Sequence, residues 1–340
     1  MFVRISILAV VLVLVGCASR QPAVIPPSAQ TPASTALKPA DQVAPEKAPD
    51  KGLETANTGY FGEFLKACDK AIELDPNDSD AWNNKGLALA GLGRHNDALK
   101  AYDKSLELNS KNQAAWFNKG VTFGNAGRFE EELQAYGRAI EIKPDYIDAW
   151  YNKGAVLSEL GRYDEAINAY DKVVQLNPND SEAWNNKGNA FRNLGRYEEA
   201  LIAYNQTIKI TPDYPDIWCA KSAVLLRLGR YEETINACDR AIELEPDDFL
   251  AWYNKSEALL ELGRYDEAIK ASARTIELDP NASDAWYNKA CAYAKKGDKQ
   301  NMFGNLSKAI SLDAALKENA QKDETFKALW EDADFKTLVK

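Results

Sequence analysis

From residue 79 onward, apolar and polar positions recur with one fixed period. Trp82, Trp116, Trp150, Trp184, Trp218, Trp252 and Trp286 follow one another at intervals of 34 residues. Such a constant period marks a repeat architecture, in which no unit buries its apolar face alone. Residues 147–180, "IDAWYNKGAVLSELGRYDEAINAYDKVVQLNPND", show how one unit is built. Two stretches with helical spacing flank Gly161, and Pro178 closes the second. Glycine suits that junction because it enters the left-handed region without steric cost. On the first stretch Ala149, Trp150, Gly154, Val156, Leu157 and Leu160 share one arc, which is the expected core face. The tryptophan of every copy is therefore expected to be packed inside, where truncation would cost about 3–5 kcal/mol.

The pattern resembles the tetratricopeptide repeat (TPR). Trp150, Gly154, Leu157, Gly161, Tyr163, Ala166, Tyr170, Val173 and Pro178 stand on the signature positions of that family. The resemblance implies an all-α fold, a right-handed TPR superhelix (α-solenoid) of helix–turn–helix repeats. It covers seven full repeats from residue 79, ending at 316, after a partial repeat over 57–78. Residues 317–340 resemble the capping helices that end such arrays. Some copies depart from the pattern: Ser110 replaces the closing Pro, Glu132 stands where a small residue is usual, and the seventh copy carries Lys296, Lys299 and Met302.

The residues before the array read differently. One cation, Arg4, precedes the unbroken apolar run from Ile7 to Val15, which is too short to span a bilayer and has the proportions of a signal peptide over 1–16. The run ends Leu14-Val15-Gly16-Cys17, resembling the lipobox of prokaryotic lipoproteins, which implies cleavage before Cys17 and lipidation of its thiol. An ordinary cleaved signal with an incidental cysteine is the other reading. Residues 17–56 hold seven of the fourteen prolines and read as a disordered tether. The expected location is the cell envelope, with the chain lipid-anchored on the extracytoplasmic side of a membrane.

The arc opposite the core face carries the candidate chemistry. The sixth position of each repeat is Asn84, Asn118, Asn152, Asn186, Asn254 and Asn288, broken only by Ala220. In the TPR family this arc lines the concave wall, and the resemblance implies that such an Asn row holds a peptide backbone. An amide donates and accepts at once, so it can do this without reading side chains. A local reading stands beside it: acids at the second position, such as Asp80 and Asp148, lie one turn before the Asn and could satisfy it. Tyr151 and Tyr253 add amphipathic surface beside the row. Eight acids against three bases on this arc favour a basic or neutral partner segment. The seventh position is Lys in every copy, from Lys85 to Lys289, and falls in the middle of the apolar arc. A bare buried ammonium is too costly, so its stem is expected beside the Trp and its charge on an acid of a neighbouring second helix, with Glu73, Glu107, Glu141, Glu243 and Glu277 as candidates.

Composition narrows the function. A net charge of −10 with no basic stripe argues against nucleic acid. The one histidine, His95, and five scattered cysteines offer neither a metal knuckle nor a disulfide framework. No Gly-rich phosphate loop, GxSxG elbow or HExxH pair is present, so no enzyme, cofactor or metal is expected. The chain reads as a membrane-tethered scaffold that binds protein or peptide partners in its concave groove and aids assembly of an envelope or surface complex. A self-associating envelope component, or an accessory subunit of an envelope enzyme, are the alternatives.

Overall fold

The computed structural model describes residues 51–340, with side chains from residue 59. The signal, Cys17 and most of the expected tether lie outside the described residues. Helix α1 (Lys51–Leu74) opens six residues before the expected array start at 57. Seven helix pairs follow: α2 (Ser79–Gly91) and α3 (His95–Leu108), α4 (Gln113–Asn125) and α5 (Phe129–Ile142), α6 (Ile147–Glu159) and α7 (Tyr163–Leu176), then α8 (Ser181–Asn193) and α9 (Tyr197–Ile210). The last three are α10 (Pro215–Arg227) and α11 (Tyr231–Leu244), α12 (Phe249–Glu261) and α13 (Tyr265–Leu278), α14 (Ser283–Lys295) and α15 (Lys299–Leu312). Helix α16 (Leu316–Lys322), a 3₁₀ turn (Glu324–Leu329) and α17 (Ala333–Val339) end the chain. The described residues contain no strand, and the consecutive pairs form a TPR solenoid.

Each pair turns on a glycine in the left-handed region, from Gly93 at φ 72° to Gly297 at φ 75°. A second glycine sets how closely the pair packs. In the third copy a Cβ on Gly154 would lie 2.8 Å from Cε1 of Tyr170, so the bare backbone is what admits the ring. The same contact recurs at Gly86 with Tyr102, Gly120 with Tyr136 and Gly188 with Tyr204. Those four tyrosines are among the largest fully buried side chains.

The tryptophans meet the expectation in part. All seven pack against the core clusters, but from the edge, half-buried rather than enclosed. Each indole N–H instead reaches back six residues to a loop carbonyl, as from Trp150 to Pro144 and from Trp184 to Pro178, both at 2.9 Å. The ring sits at the edge of the first helix and pins the turn arriving from the preceding copy. Ser110 supplies that carbonyl to Trp116 at 3.3 Å, so losing the closing Pro does not lose the contact. The departure at Glu132 also has a partner change: Glu132 is buried, its carboxylate occupies the space above Gly124, and Tyr136 Oη donates to it at 3.0 Å. Arginines after four of the turning glycines, Arg162, Arg196, Arg230 and Arg264, join neighbouring second helices, with Arg162 bound to Glu165 at 2.7 Å and to Glu130 at 3.4 Å. At the end of the array, Leu316, Phe326, Phe335 and Val339 cover Met302, Leu306 and Ile310.

Candidate functional site

First helices of neighbouring copies meet at α2 with α4, α6 with α8, α10 with α12 and α12 with α14, and the Asn row runs along that side. The expected bond from the second-position acid to the sixth-position Asn is not the one formed. The amides reach across to the preceding copy instead. Asn118 Nδ2 donates to Asn83 Oδ1 at 3.1 Å, and Asn186 Nδ2 donates to Tyr151 Oη at 3.0 Å. Asn254 and Asn288 donate to Ser222 and Ser256 Oγ at 2.9 and 3.4 Å. The acceptor is thus a fifth- or eighth-position side chain of the copy before.

Among the amides preceded by a full copy, that rule singles out Asn152. The fifth and eighth positions before it are Phe117 and Gly120, which offer no side-chain acceptor. Asn152 is half-exposed and makes no side-chain hydrogen bond among the described residues. Asn84 shares this absence, since the corresponding positions before it are Pro49 and Gly52, which carry no side-chain acceptor.

Burial divides the expected site. Asn84, Asn118, Tyr151, Asn152 and Asn186 remain half-exposed. Tyr253, Asn254 and Asn288 do not: they are 3%, 5% and 6% exposed, inside the wall rather than on it. Phe249 stacks on Tyr253, and the serines that accept from Asn254 and Asn288 are themselves buried. The sequence carries the cause. Copies five to seven replace the Gly–Tyr pair of the eighth and twenty-fourth positions by Ser222–Cys238, Ser256–Ser272 and Ala290–Leu306, so the wall there closes around its own polar groups.

The open part is acidic and aromatic. Tyr151 Oη, while accepting from Asn186, donates to Glu182 Oε2 at 3.1 Å. Burial, then the charge of Glu182, pushes the Tyr151 hydroxyl above its ordinary range. Burial also raises the Asp148 carboxyl, Asp180 adds to this, and Lys143 opposes it. Asp148 stands one turn before Asn152 and feels the charge of Asp180, while Tyr151, next to Asn152, holds Glu182, a setting that favours an incoming cation or amide donor over an acid. Among the described residues no group of three or more His, Cys, Asp or Glu could hold a metal ion. No described helix is long and apolar enough to cross a membrane.

Comparison with known proteins agrees with this architecture. Models of the tetratricopeptide repeat match residues 79–112, 151–215 and 220–283, and 101–134 and 273–310; a TPR repeat model matches 125–161. A model of the protein prenyltransferase alpha subunit repeat matches residues 61–92. The chain belongs to the tetratricopeptide-repeat family. Among solved structures it is similar to YrrB, described as a TPR protein with an unusual peptide-binding site: 27% identity and TM-score 0.50, over 56% of this chain and all of that one. It also aligns with MamA at 23% identity and TM-score 0.48, over 52% of this chain and 95% of that one. MamA from Desulfovibrio magneticus RS-1 aligns at 18% identity and TM-score 0.46, over 50% of this chain and 96% of that one. No curated protein matches the chain.

Proposed function

We propose that this chain is a membrane-tethered scaffold that holds an extended, neutral or basic segment of a partner protein against the first helices of copies one to four. The observation that carries the reading is Asn152. It presents an unused amide between Asn118 and Asn186, beside the Tyr151 hydroxyl and the acids Asp148 and Glu182. One amide can pair with both the N–H and the C=O of a passing backbone, and the flanking acids select its charge. The peptide-binding site of YrrB lends support as a relative's property. The lipobox ending at Cys17 supports the anchor, an extracytoplasmic location and a role in assembling an envelope or surface complex. The reading assigns the chain no catalysis and no cofactor.

Crosslinking in native membranes, followed by identification of the attached protein, tests it. Asn152→Ala is expected to weaken capture at unchanged helical content, and Cys17→Ser to release the chain from the membrane. Undiminished capture by Asn152→Ala would remove the binding site from this wall.

A further inference from the structure

The seven position-seven lysines do not share one environment. In four copies the ammonium lies on an aspartate 16 residues earlier, on the second helix of the preceding copy. Lys85 meets Asp69 at 2.8 Å, while Lys119, Lys187 and Lys255 meet Asp103, Asp171 and Asp239 at 2.5 Å. The acid is one turn nearer the helix start than the expected Glu73 and Glu107, while Glu141, Glu243 and Glu277 form their ion pairs with Arg138, Arg240 and Arg274, and Glu277 acts on Lys289 only at longer range. In the other three copies the place of the aspartate is taken by Gly137, Asn205 and Ala273. Lys153, Lys221 and Lys289 therefore have no carboxylate within ion-pair distance among the described residues.

What these three copies keep is the rest of the seat. Lys153, Lys221 and Lys289 stand 5.6, 5.3 and 5.7 Å from the ring centres of Trp150, Trp218 and Trp286, as the paired lysines do over theirs. Around Lys221 the edge opens as a cleft of about 150 Å³ between Trp218 and the α11 residues Glu233, Asn236 and Ala237. Glu233 is itself held by Arg230 through two contacts of 2.7 Å. Burial pushes the Lys221 and Lys289 ammonium groups below their ordinary range, and Glu233 and Glu277, beyond ion-pair distance, offset this only in part, whereas a carboxylate in direct contact would reverse it. The four paired copies show what such an edge accepts.

We infer that the Trp–Lys edges of copies three, five and seven are carboxylate seats for Asp or Glu side chains of a partner protein laid across the side opposite the Asn row. The identity of the occupant follows from charge and from the sister copies: a cation over an indole, already shown to take an aspartate at ion-pair distance. The seats recur at intervals of 68 residues, in alternate copies along one side of the array. They are independent of the Asn152 wall and take the opposite charge.

A fluorescent, end-blocked tetra-aspartate peptide is the probe, with tetra-asparagine and tetra-lysine peptides as controls, on the full chain. The wild type is expected to bind tetra-aspartate in preference to both controls. Gly137→Asp/Asn205→Asp/Ala273→Asp fills the seats from within and is expected to weaken that binding by about tenfold or more. Ser110→Asp/Gln175→Asp/Asn179→Asp adds the same charge at exposed positions and is expected to leave most of it. Asn152→Ala is expected to have no effect. Equal binding by the filled variant and the wild type, or no preference for tetra-aspartate, would overturn the inference. So would self-association of the wild type in sedimentation equilibrium that the filled variant lacks, because the occupant would then be a second copy.

Discussion

Tyr151→Phe separates the part of the Asn row that locks the wall from the part that is free for a ligand. The substitution keeps the ring, which lies edge-on to Tyr170 at 6.1 Å between centres, and removes only the hydroxyl. Two hydrogen bonds go with it, from Asn186 at 3.0 Å and to Glu182 at 3.1 Å. The neutral bond from Asn186 contributes about 0.5–1.5 kcal/mol net and a bond to a carboxylate about 1.5–3 kcal/mol before solvent exposure is discounted. Asn186 is half-exposed and Glu182 exposed, so water replaces part of both bonds and the expected loss is about 1 kcal/mol in total. In an array the loss falls on one junction rather than on the whole molecule. Hydrogen exchange should therefore quicken in α6 and α8 while α12 and α14 keep their protection. The functional consequence runs the other way: freeing the Asn186 amide gives a bound segment a second donor, so capture should hold or tighten. Capture that falls as far as in Asn152→Ala, or exchange that is unchanged in α6 and α8, would refute the division.

Other expectations follow from the same contacts. Gly154→Ala should cost about 1–3 kcal/mol by forcing the Tyr170 ring, whereas Gly161→Ala meets no atom within 4 Å but holds φ at +71°, for about 1–2 kcal/mol of pure backbone strain; urea titrations of both variants, and of Tyr170→Leu/Gly154→Ala, distinguish the causes. Trp184→Phe should cost only about 1 kcal/mol, mainly the bond to the Pro178 carbonyl, and a loss near 4 kcal/mol would restore the tryptophan to the core. Hydrogen bonds from Arg162 and Arg230 hold Glu165 and Glu233 below the ordinary Glu value of 4.5. A depressed carboxyl pKa gives stability that is present above that value and lost as pH falls through the folded-state pKa. Melting temperature should therefore drop below about pH 4.5, and less steeply in Arg162→Gln/Arg230→Gln.

Much of this was legible in the sequence, for a physical reason: the period of 34 repeats every steric requirement of the fold. Seven turning glycines and the Gly–Tyr pairs mark where backbones must approach, whatever surrounds them. Side chains whose partners lie in the next copy were harder to read. The tryptophans look like core by helical phase, yet phase does not say that position four meets a loop rather than a helix. The lysine partners lie on the expected second helices but one turn nearer their starts. An aspartate spaced 16 residues before Lys85, Lys119, Lys187 and Lys255 was the available signal. For the Asn row the informative spacings are 32 and 35 residues back, where an acceptor is present for Asn118, Asn186, Asn254 and Asn288 and absent for Asn84 and Asn152.

These spacings also bound how much of a partner the wall can hold. The sixth-position amides of copies six and seven are spent on buried serines, and copy five has Ala220 in their place. Tyr287 in the last copy is tied down as well, donating to Asp323 at 2.9 Å beneath the terminal turn. Only α2, α4, α6 and α8 then offer half-exposed groups of the row. Packed helices lie about 9 Å apart, so three spacings between four first helices span about 27 Å. An extended chain advances about 3.3 Å per residue, which makes the expected footprint about eight residues. Limited proteolysis of a crosslinked complex, with mass analysis of the protected fragment, measures it directly. A protected segment of about sixteen residues would mean that the segment reaches all seven copies. The burial of Tyr253, Asn254 and Asn288 would then have to open on binding, and the wall could not be the preformed, half-length surface that the Ser-for-Gly and Ser-for-Tyr exchanges describe.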